Sequence, residues 1–364
     1  MCSKSGHIYR SRRCAHREVY VRRTSNRSVI AGIGSLIGAC ASARADGPPN
    51  YDFQWATVGA PGNTAYDGGS SGLFAGRGSV GYSYRITKHE ISTAQYLEFL
   101  NTFSTDLGDP YLLSQAWGGF VQDSSYTGPG RKYKLETPSS GAWPVVGISW
   151  RNAARYCNWL QNGKSPTLAA LASGAYDAST FGTDSDGKVT DAPTHLPGAQ
   201  YWIPTLDEWM KAAHFDPQRY GPGQPGYWNY VNSTDLPLVP GLPGVGQTSA
   251  GFSTNEEARQ IPLGAYADQV SPWGLLDLSG GGEEWTETSL RADDRKDRWY
   301  DGRAFGEFGD LPWDVDSIEL AGATLATING GDSTFRIVSA VPAPSGVVAF
   351  MIPALLAVTR RRKR

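Results

Sequence analysis

Cysteine is scarce in this chain, and its placement excludes a disulfide-stabilised scaffold. Three of the four cysteines, Cys2, Cys14 and Cys40, lie in the first 45 residues, so Cys157 is alone in the remainder. A single cysteine cannot form an internal disulfide. Cys157 lies on the apolar face of a segment with helical periodicity, so we expect a small buried hydrophobic residue rather than a reactive thiol.

Clustered positive charge is missing between the two ends of the chain. The formal net charge is -2, and the charged residues of the central part are scattered. Nucleic-acid binding needs grouped cations that meet phosphates, so we expect no nucleic-acid partner. Histidines are few as well. After residue 45 they are His89, His195 and His214, and none forms the i, i+4 pair that is typical of a zinc site.

The chain does have an export-type leader. A basic stretch that ends at Arg27 precedes an apolar run over 29–43, and Ala43-Arg-Ala45 has the small-x-small pattern that signal peptidases cleave. We predict a signal peptide over 1–45, cleaved after Ala45, and an exported mature chain. Two alternatives stay open, a twin-arginine signal just upstream and a surface lipoprotein attached through Cys40.

The last segment, 341–364, is typical of a sorting tail. A Pro-rich break precedes a run of mostly apolar residues that is shorter than the roughly 20 residues a spanning helix needs, and five cations follow. The defining residues are Val341, Pro342, Pro344, Arg360, Arg361 and Arg362. The pattern resembles the bacterial PEP-CTERM sorting signal. This resemblance implies transient membrane insertion, a processing protease in the membrane, and a final location in the envelope, at the surface or outside the cell. An ordinary C-terminal core helix is the alternative.

The part between these ends is rich in loops. Forty-four glycines, 23 prolines and 12 tryptophans in the chain indicate a core of large aromatic side chains with little regular structure. Capping boxes at Ser92–Gln95 and Thr205–Glu208 predict the starts of two helices, and apolar periodicity predicts a third over 150–160. Short strands are predicted over Ser83–Ile86 and Pro144–Ile148.

Two long segments look like surface insertions in a single domain. Gly163–Gln200 and Asp216–Glu257 are rich in Gly, Pro, Ser, Thr and Asp, a composition typical of surface loops. The charged segment Asp293–Arg303 is typical of a solvated loop.

Six sequence blocks follow one another in a specific order. They are Tyr84–Asn101, Pro144–Leu160, Trp202–Ala213, Ile261–Tyr266, Ser271–Thr286 and Ser333–Val338. The series resembles the formylglycine-generating enzyme family, also called the sulfatase-modifying factor domain, across nearly all of Tyr51–Ser339. The resemblance implies a single α+β domain over 46–340, a relative of the C-type-lectin-like fold with low regular secondary structure.

The oxidase chemistry of that family has no ligands here. In its oxidase members two late cysteines bind copper and the substrate thiol, because a soft monovalent metal prefers thiolate ligands. Between Trp285 and Ala340 this chain has neither Cys nor His. We therefore expect no copper and no formylglycine-generating activity. The related iron-dependent sulfoxide synthases build their metal site from several histidines, which this sequence does not group.

The resemblance also implies structural calcium. In the block that ends at Trp285, Gly281 replaces the family's usual Asn and Glu283 its usual Trp. Glu284 and Glu283 are candidate oxygen ligands, and Asn229 begins a segment similar to the family's other calcium loop. A solvated acidic turn beside a buried Trp is the alternative.

These features predict an exported, surface-sorted protein whose domain is a binding or structural module of the envelope or extracellular matrix. Aromatic faces stack on sugar rings, so the expected ligand is a carbohydrate or a protein. No catalytic residue is assigned, because the family's site is degenerate in this sequence. The alternative is an enzyme of the formylglycine-generating or non-haem iron type that uses ligands not recognised in the sequence.

Overall fold

The computed structural model describes residues 48–103, 119–252, 256–305, 317–319, 322–325 and 332–341, with the backbone alone at 256 and 322–325. The predicted leader with Ala43 and Ala45, and the tail from Pro342 onward, lie outside these ranges. The described residues belong to one compact unit. No helix among them is long and apolar enough to cross a bilayer.

Side-chain caps start the main helices where the sequence predicts them. The helices are α1 (Thr93–Phe103), α2 (Trp150–Gln161), α3 (Ala169–Ala172), α4 (Leu206–His214) and α5 (Glu256–Arg259), with 3₁₀ turns at Pro138–Ala142 and Ala178–Thr180. The Thr205 hydroxyl accepts from the Glu208 amide at 3.1 Å, and Glu208 Oε2 accepts from the Thr205 amide at 2.8 Å. Ser92 and Gln95 make the same reciprocal contacts before α1. Both predicted capping boxes are confirmed.

Two four-stranded sheets carry most of the strands. The first has the order β1 (Trp55–Val58), β2 (Tyr84–Thr87), β12 (Val338–Ala340) and β5 (Tyr201–Trp202), all antiparallel. The second has the order β10 (Gly322–Leu325), β9 (Asp297–Asp301), β8 (Glu283–Ser289) and β11 (Ser333–Thr334), with β11 parallel to β8. Two ribbons add β3 (Phe120–Gln122) with β4 (Tyr133–Leu135), and β6 (Phe215–Asp216) with β7 (Gly226–Tyr227). The strand predicted near Ile86 is confirmed as β2.

The strand predicted over Pro144–Ile148 is wrong. Its amides form no ladder, since Val145 donates to Ile91 and Ile148 donates to Ser333, each at 3.0 Å. The glycine between them has a φ of 74°, which interrupts an extended path. The segment is nevertheless buried, so its apolar composition reflects packing rather than strand pairing.

Large aromatic side chains fill the main core, as the composition predicts. Among the described residues, the fully buried tryptophans are Trp150, Trp159, Trp209 and Trp285. Phe99 of α1 meets Tyr156 of α2 with ring centroids 5.2 Å apart. Cys157 is buried in this core, and burial raises the pKa of its thiol. The prediction of a core cysteine is confirmed.

Part of the charged segment Asp293–Arg303 is buried rather than solvated. Arg298 on β9 has no exposed surface, and its guanidinium carbon lies 3.5 Å from the centroid of the Trp150 ring. Its Nη2 donates to the Ala192 carbonyl at 2.7 Å. Burial lowers the pKa of Arg298 to about 10. A cation–π contact and carbonyl acceptors therefore hold this charge inside the domain.

Both ends of the described domain meet at Arg85 on β2. Its Nη1 donates to Asn50 Oδ1 at 2.8 Å, and its Nη2 donates to Ser339 Oγ at 3.0 Å and to the Pro48 carbonyl at 3.4 Å. The first described residues therefore lie against β12, the last strand.

A histidine–carboxylate contact fastens the insertion Gly163–Gln200 to β8. His195 Nδ1 lies 2.8 Å from Glu287 Oε2, and the same oxygen accepts from the His195 amide at 3.1 Å and from the Tyr176 hydroxyl at 2.8 Å. The His195 ring stacks on Trp202 with centroids 4.6 Å apart. The insertion is therefore part of the domain, but it is not confined to the surface as predicted, since Leu171, Ala175, Tyr176 and Ala192 lie in the main core.

The stability of the domain should depend on pH through His195. Burial alone would lower the pKa of His195, but the hydrogen bond and charge of Glu287 outweigh it and raise the pKa. Because the unfolded pKa is about 6.5, the contact stabilises the fold fully below that pH and loses its effect as the pH rises through the higher folded value. We expect the stability advantage of the wild type over His195→Gln in urea denaturation to shrink from about pH 5.5 to about pH 8.5.

Glu287→Gln provides the second variant, because it keeps the size of the side chain and removes the charge that raises the pKa. Its stability should follow the pH profile of His195→Gln. Parallel profiles for the wild type and His195→Gln would show that ionisation of His195 does not contribute to stability in this pH range.

Candidate functional site

A cleft of about 210 Å³ lies where the chain leaves β2 and enters α1. Its walls come from the segment before β1, the β2–α1 connection and a facing loop. The polar side chains among them belong to Asp52, Gln54, Thr87, His89, Ser92 and Gln95, and Glu90 also lines the cleft. The lining is therefore rich in hydrogen-bonding groups.

Backbone hydrogen bonds hold the cleft walls together. The Lys88 amide donates to the Gln54 carbonyl and the Leu276 amide donates to the Lys88 carbonyl, each at 2.8 Å. Across the cleft, the Leu263 amide donates to the Ala142 carbonyl at 2.9 Å. These bonds join segments that are far apart in sequence, so the cleft is a product of the tertiary fold.

A buried carboxylate orients His89 at the cleft wall. His89 Nδ1 lies 2.6 Å from Asp277 Oδ2, which also accepts from the Gly264 amide at 2.8 Å. Asp277 has a φ of 55°, a conformation that is costly for a residue other than glycine and persists only where its surroundings enforce it. Since Nδ1 is engaged and the ring is partly exposed, Nε2 is the ring nitrogen left to meet a ligand.

Glu90 is a buried acid beside the cleft, with 2% of its surface exposed. Burial, and then the charge of Glu284, raise the pKa of Glu90 well above its usual range. Its Oε1 accepts from the Gly282 amide at 3.0 Å, while Oε2 has no hydrogen-bond partner within the described residues. A Cβ at Gly281 would lie 2.5 Å from Oε2, so the glycine at this position makes room for the acid.

A fully buried ion pair lies behind the cleft. Arg336 Nε donates to the two carboxylate oxygens of Glu284 at 2.8 and 2.7 Å, and Trp209 Nε1 donates to Glu284 Oε2 at 2.9 Å. The Arg336 guanidinium also donates to the carbonyls of Lys88 at 2.6 Å and Asp277 at 2.7 Å. One side chain thus connects the two segments that provide the histidine–aspartate pair.

The ion pair changes the interpretation of the predicted calcium ligands. Glu284 does not fit calcium, because its charge is already balanced by Arg336 and a second cation there would be repelled. Glu283 is the residue before Glu284 on β8. Asn229 lies in an exposed loop, where its carbonyl accepts from the Ile318 amide at 2.8 Å. No group of three or more His, Cys, Asp or Glu side chains that could hold a metal occurs in the described ranges. Calcium at Glu283 or Asn229 stays a prediction.

Sequence reasoning did not assign the residues that meet at the cleft. Glu90 lies in the first of the six blocks, Asp277 in the fifth and Arg336 in the last. For Asp277 and Arg336 the available signal was a charged residue between two large apolar neighbours, which is a frequent sign of a buried polar network, whereas Glu90 lies among other charged residues and gave no such signal. That signal does not identify the partner of each charge.

The chain belongs to the family described as sulfatase-modifying factor enzyme 1-like domain. The family model matches residues 60–342, more than half of the chain, which confirms the resemblance found in the six blocks. Together with the observed elements, it establishes a single α+β domain of the formylglycine-generating-enzyme type. No curated protein matches the chain.

The similar solved structures are remote in sequence. CarF is 19% identical with a TM-score of 0.48, over 79% of this chain and 98% of its own. Treponema denticola variable protein 1 is 14% identical with a TM-score of 0.48, over 79% and 95%. PvdO from Pseudomonas aeruginosa is 13% identical with a TM-score of 0.36, over 79% and 92%. Likeness at this level gives no information about activity or ligands.

Breaking the buried ion pair should destabilise the domain strongly. Glu284→Gln leaves the Arg336 guanidinium buried without its counter-charge, so we expect a loss of about 3–5 kcal/mol in the free energy of unfolding. Arg336→Lys keeps the charge but loses the planar fork that reaches several acceptors, and we expect a smaller loss. Urea denaturation near neutral pH measures both effects.

Asp293→Asn is the matched control, because it removes one partner of the exposed Lys188–Asp293 pair. Exposed ion pairs contribute little, so its stability should equal that of the wild type. Wild-type stability in Glu284→Gln would show that the ion pair does not support the fold around the cleft.

Proposed function

We propose that this protein is an exported, surface-sorted binding module whose sulfatase-modifying-factor-type domain lacks copper oxidase activity. The positions of the cysteine and histidine residues are the main support for this proposal. Neither Cys nor His occurs between Trp285 and Ala340, and Cys157 lies buried in α2. Because monovalent copper prefers thiolates, and two are needed for the family's site, the chain has no ligand set for that chemistry.

The cleft beside His89 supports a small, hydrogen-bonding ligand. Its volume of about 210 Å³ is below the roughly 300 Å³ at which pockets enclose drug-sized molecules. Its polar side chains offer donors and acceptors, with His89 held in place by Asp277. A single sugar ring or the end of a peptide has the matching size and polarity, so the ligand class is carbohydrate or protein.

The two ends of the chain support export and sorting. The leader carries the Ala43-Arg-Ala45 cleavage pattern, and the tail combines an apolar run with terminal cations. The mature protein then passes through a transient membrane-inserted state, is processed by a membrane protease and stays in the envelope or outside the cell. Structural calcium at Glu283 or Asn229 remains part of this proposal.

The second candidate is an enzyme of the same family that uses residues not recognised in the sequence. The pairing of His89 with Asp277, next to the buried acid Glu90, favours it. A histidine oriented by a carboxylate and a carboxyl with a raised pKa are groups that acid–base catalysis uses.

Filling the cleft should abolish ligand binding. Ala142→Trp places a large ring at the exposed cleft wall and keeps the backbone bond from Leu263 to the Ala142 carbonyl. Monosaccharides and short peptides that give saturation-transfer NMR signals with the full chain should lose those signals in this variant. Ala169→Trp, at an exposed position of α3, is the control and should bind as the wild type does.

Native mass spectrometry of the same preparations separates the two candidates. The binding module should carry no stoichiometric copper or iron. A stoichiometric redox metal would favour the enzyme, and unchanged ligand signals in Ala142→Trp would contradict the cleft as the binding site. Thermal unfolding before and after chelation reports on calcium, because removal of a structural ion lowers the unfolding temperature.

The terminal cations should keep the unprocessed chain at the membrane. Gln at positions 360–362 removes three of the five terminal positive charges that hold the end of the chain on the cytoplasmic side. In a bacterial host that processes PEP-CTERM proteins, we expect this variant to move from the membrane fraction to the medium in immunoblots. Wild-type protein should begin at Asp46 in N-terminal sequencing. Gln at Lys134, Lys188 and Arg291 is the charge-matched control, and an unchanged distribution of the tail variant would argue against a sorting tail.

A further inference from the structure

The β6–β7 hairpin presents an exposed aromatic ring that the cleft does not use. Its connecting loop, 217–225, carries Tyr220, whose residue surface is 63% exposed. The loop belongs to the second insertion, Asp216–Glu257. An exposed aromatic ring offers apolar area that a ligand can cover.

Tyr220 packs against its own hairpin. Its amide donates to the Gln224 carbonyl at 3.0 Å, and the Gln224 amide donates to the Gly221 carbonyl at 3.0 Å. The ring lies against Gly226 of β7, where a Cβ would be 2.6 Å from Tyr220 Cε2. A side chain that is already ordered loses little conformational entropy on binding, so its contact area converts efficiently into affinity.

Arg219 covers one face of the Tyr220 ring. Its guanidinium carbon lies 4.8 Å from the centroid of Tyr220 and 4.4 Å from that of Trp228, and Nη2 pairs with Asp235 Oδ2 at 2.5 Å. Since the tyrosine stays mostly exposed, its other face is open. The Arg219 guanidinium already makes a cation–π contact with the Tyr220 ring, and Asp235 balances its charge. The open face is therefore unsuited to a cation and suited to a neutral, apolar surface.

We propose that Tyr220 is the stacking platform of a second binding site, and that its ligand is a neutral carbohydrate chain. The C–H face of a pyranose ring packs on an open aromatic face without any charge. The Asp235 side chain is 45% exposed, and its Oδ1 accepts from the Asn229 backbone amide at 3.2 Å, so a partly exposed carboxylate lies next to Arg219 to receive sugar hydroxyls. The site rests on the proposed binding role but is separate from the cleft.

Titration calorimetry of the full chain with neutral tetrasaccharides of glucose, N-acetylglucosamine and mannose tests the site. At least one should bind, and Tyr220→Ala should weaken it about tenfold. Tyr220→Phe should bind normally, because stacking uses the ring. Gly226→Ala should weaken binding with the tyrosine intact, since the added methyl displaces the ring. Leu236→Ala, exposed in the same insertion, is the control.

Absence of binding by all three tetrasaccharides, or equal binding by the wild type and Tyr220→Ala, would overturn the platform. Binding lost in Ala142→Trp but kept in Tyr220→Ala would also refute it, while leaving the proposed function in place. Loss in Tyr220→Ala with Ala142→Trp unaffected supports the platform. A stoichiometric redox metal would contradict the proposed function without changing that result.

Discussion

A buried guanidinium determines how the parts of this domain meet. Removing two charges from water is costly, and the cost is offset only when every polar partner is in place. Arg336 therefore requires the Glu284 carboxylate and main-chain carbonyls that include Lys88 and Leu276 at the same time. These acceptors come from β8, from the segment after β2 and from the loop before β8. The cleft exists because those segments converge, and the His89 ring is oriented because the same convergence brings its carboxylate partner into place.

Features that depend on near neighbours in sequence were predictable, and features that depend on distant ones were not. Capping at Ser92 and Thr205 involves residues three positions apart, so the starts of α1 and α4 follow from local chemistry. A buried apolar run such as Pro144–Ile148 has the same composition whether it pairs in a ladder or bonds singly to several neighbours. For Arg298 the error is in the predicted exposure of a charged side chain. Hydropathy places it in solvent, yet Trp150 and carbonyls from other segments hold it inside.

The same distinction applies to the candidate site. A glutamate beside a tryptophan suits a metal ion or a guanidinium equally well in sequence, and the choice for Glu284 is made by Arg336, which is 52 positions away. His89 and its aspartate are 188 positions apart, a separation at which no single-sequence pattern indicates contact. The expectation of no copper, in contrast, needs only the sequence, because neither Cys nor His occurs between Trp285 and Ala340.

The contacts of Arg85 with both ends of the domain affect how the domain can be inserted into another protein. The Pro48 carbonyl and the Ser339 hydroxyl accept from the same guanidinium nitrogen, so entry and exit of the chain are neighbours. A domain with adjacent ends tolerates circular permutation, and it fits into a loop of a host protein without stretching that host. The cleft and the β6–β7 hairpin would move with it as one unit.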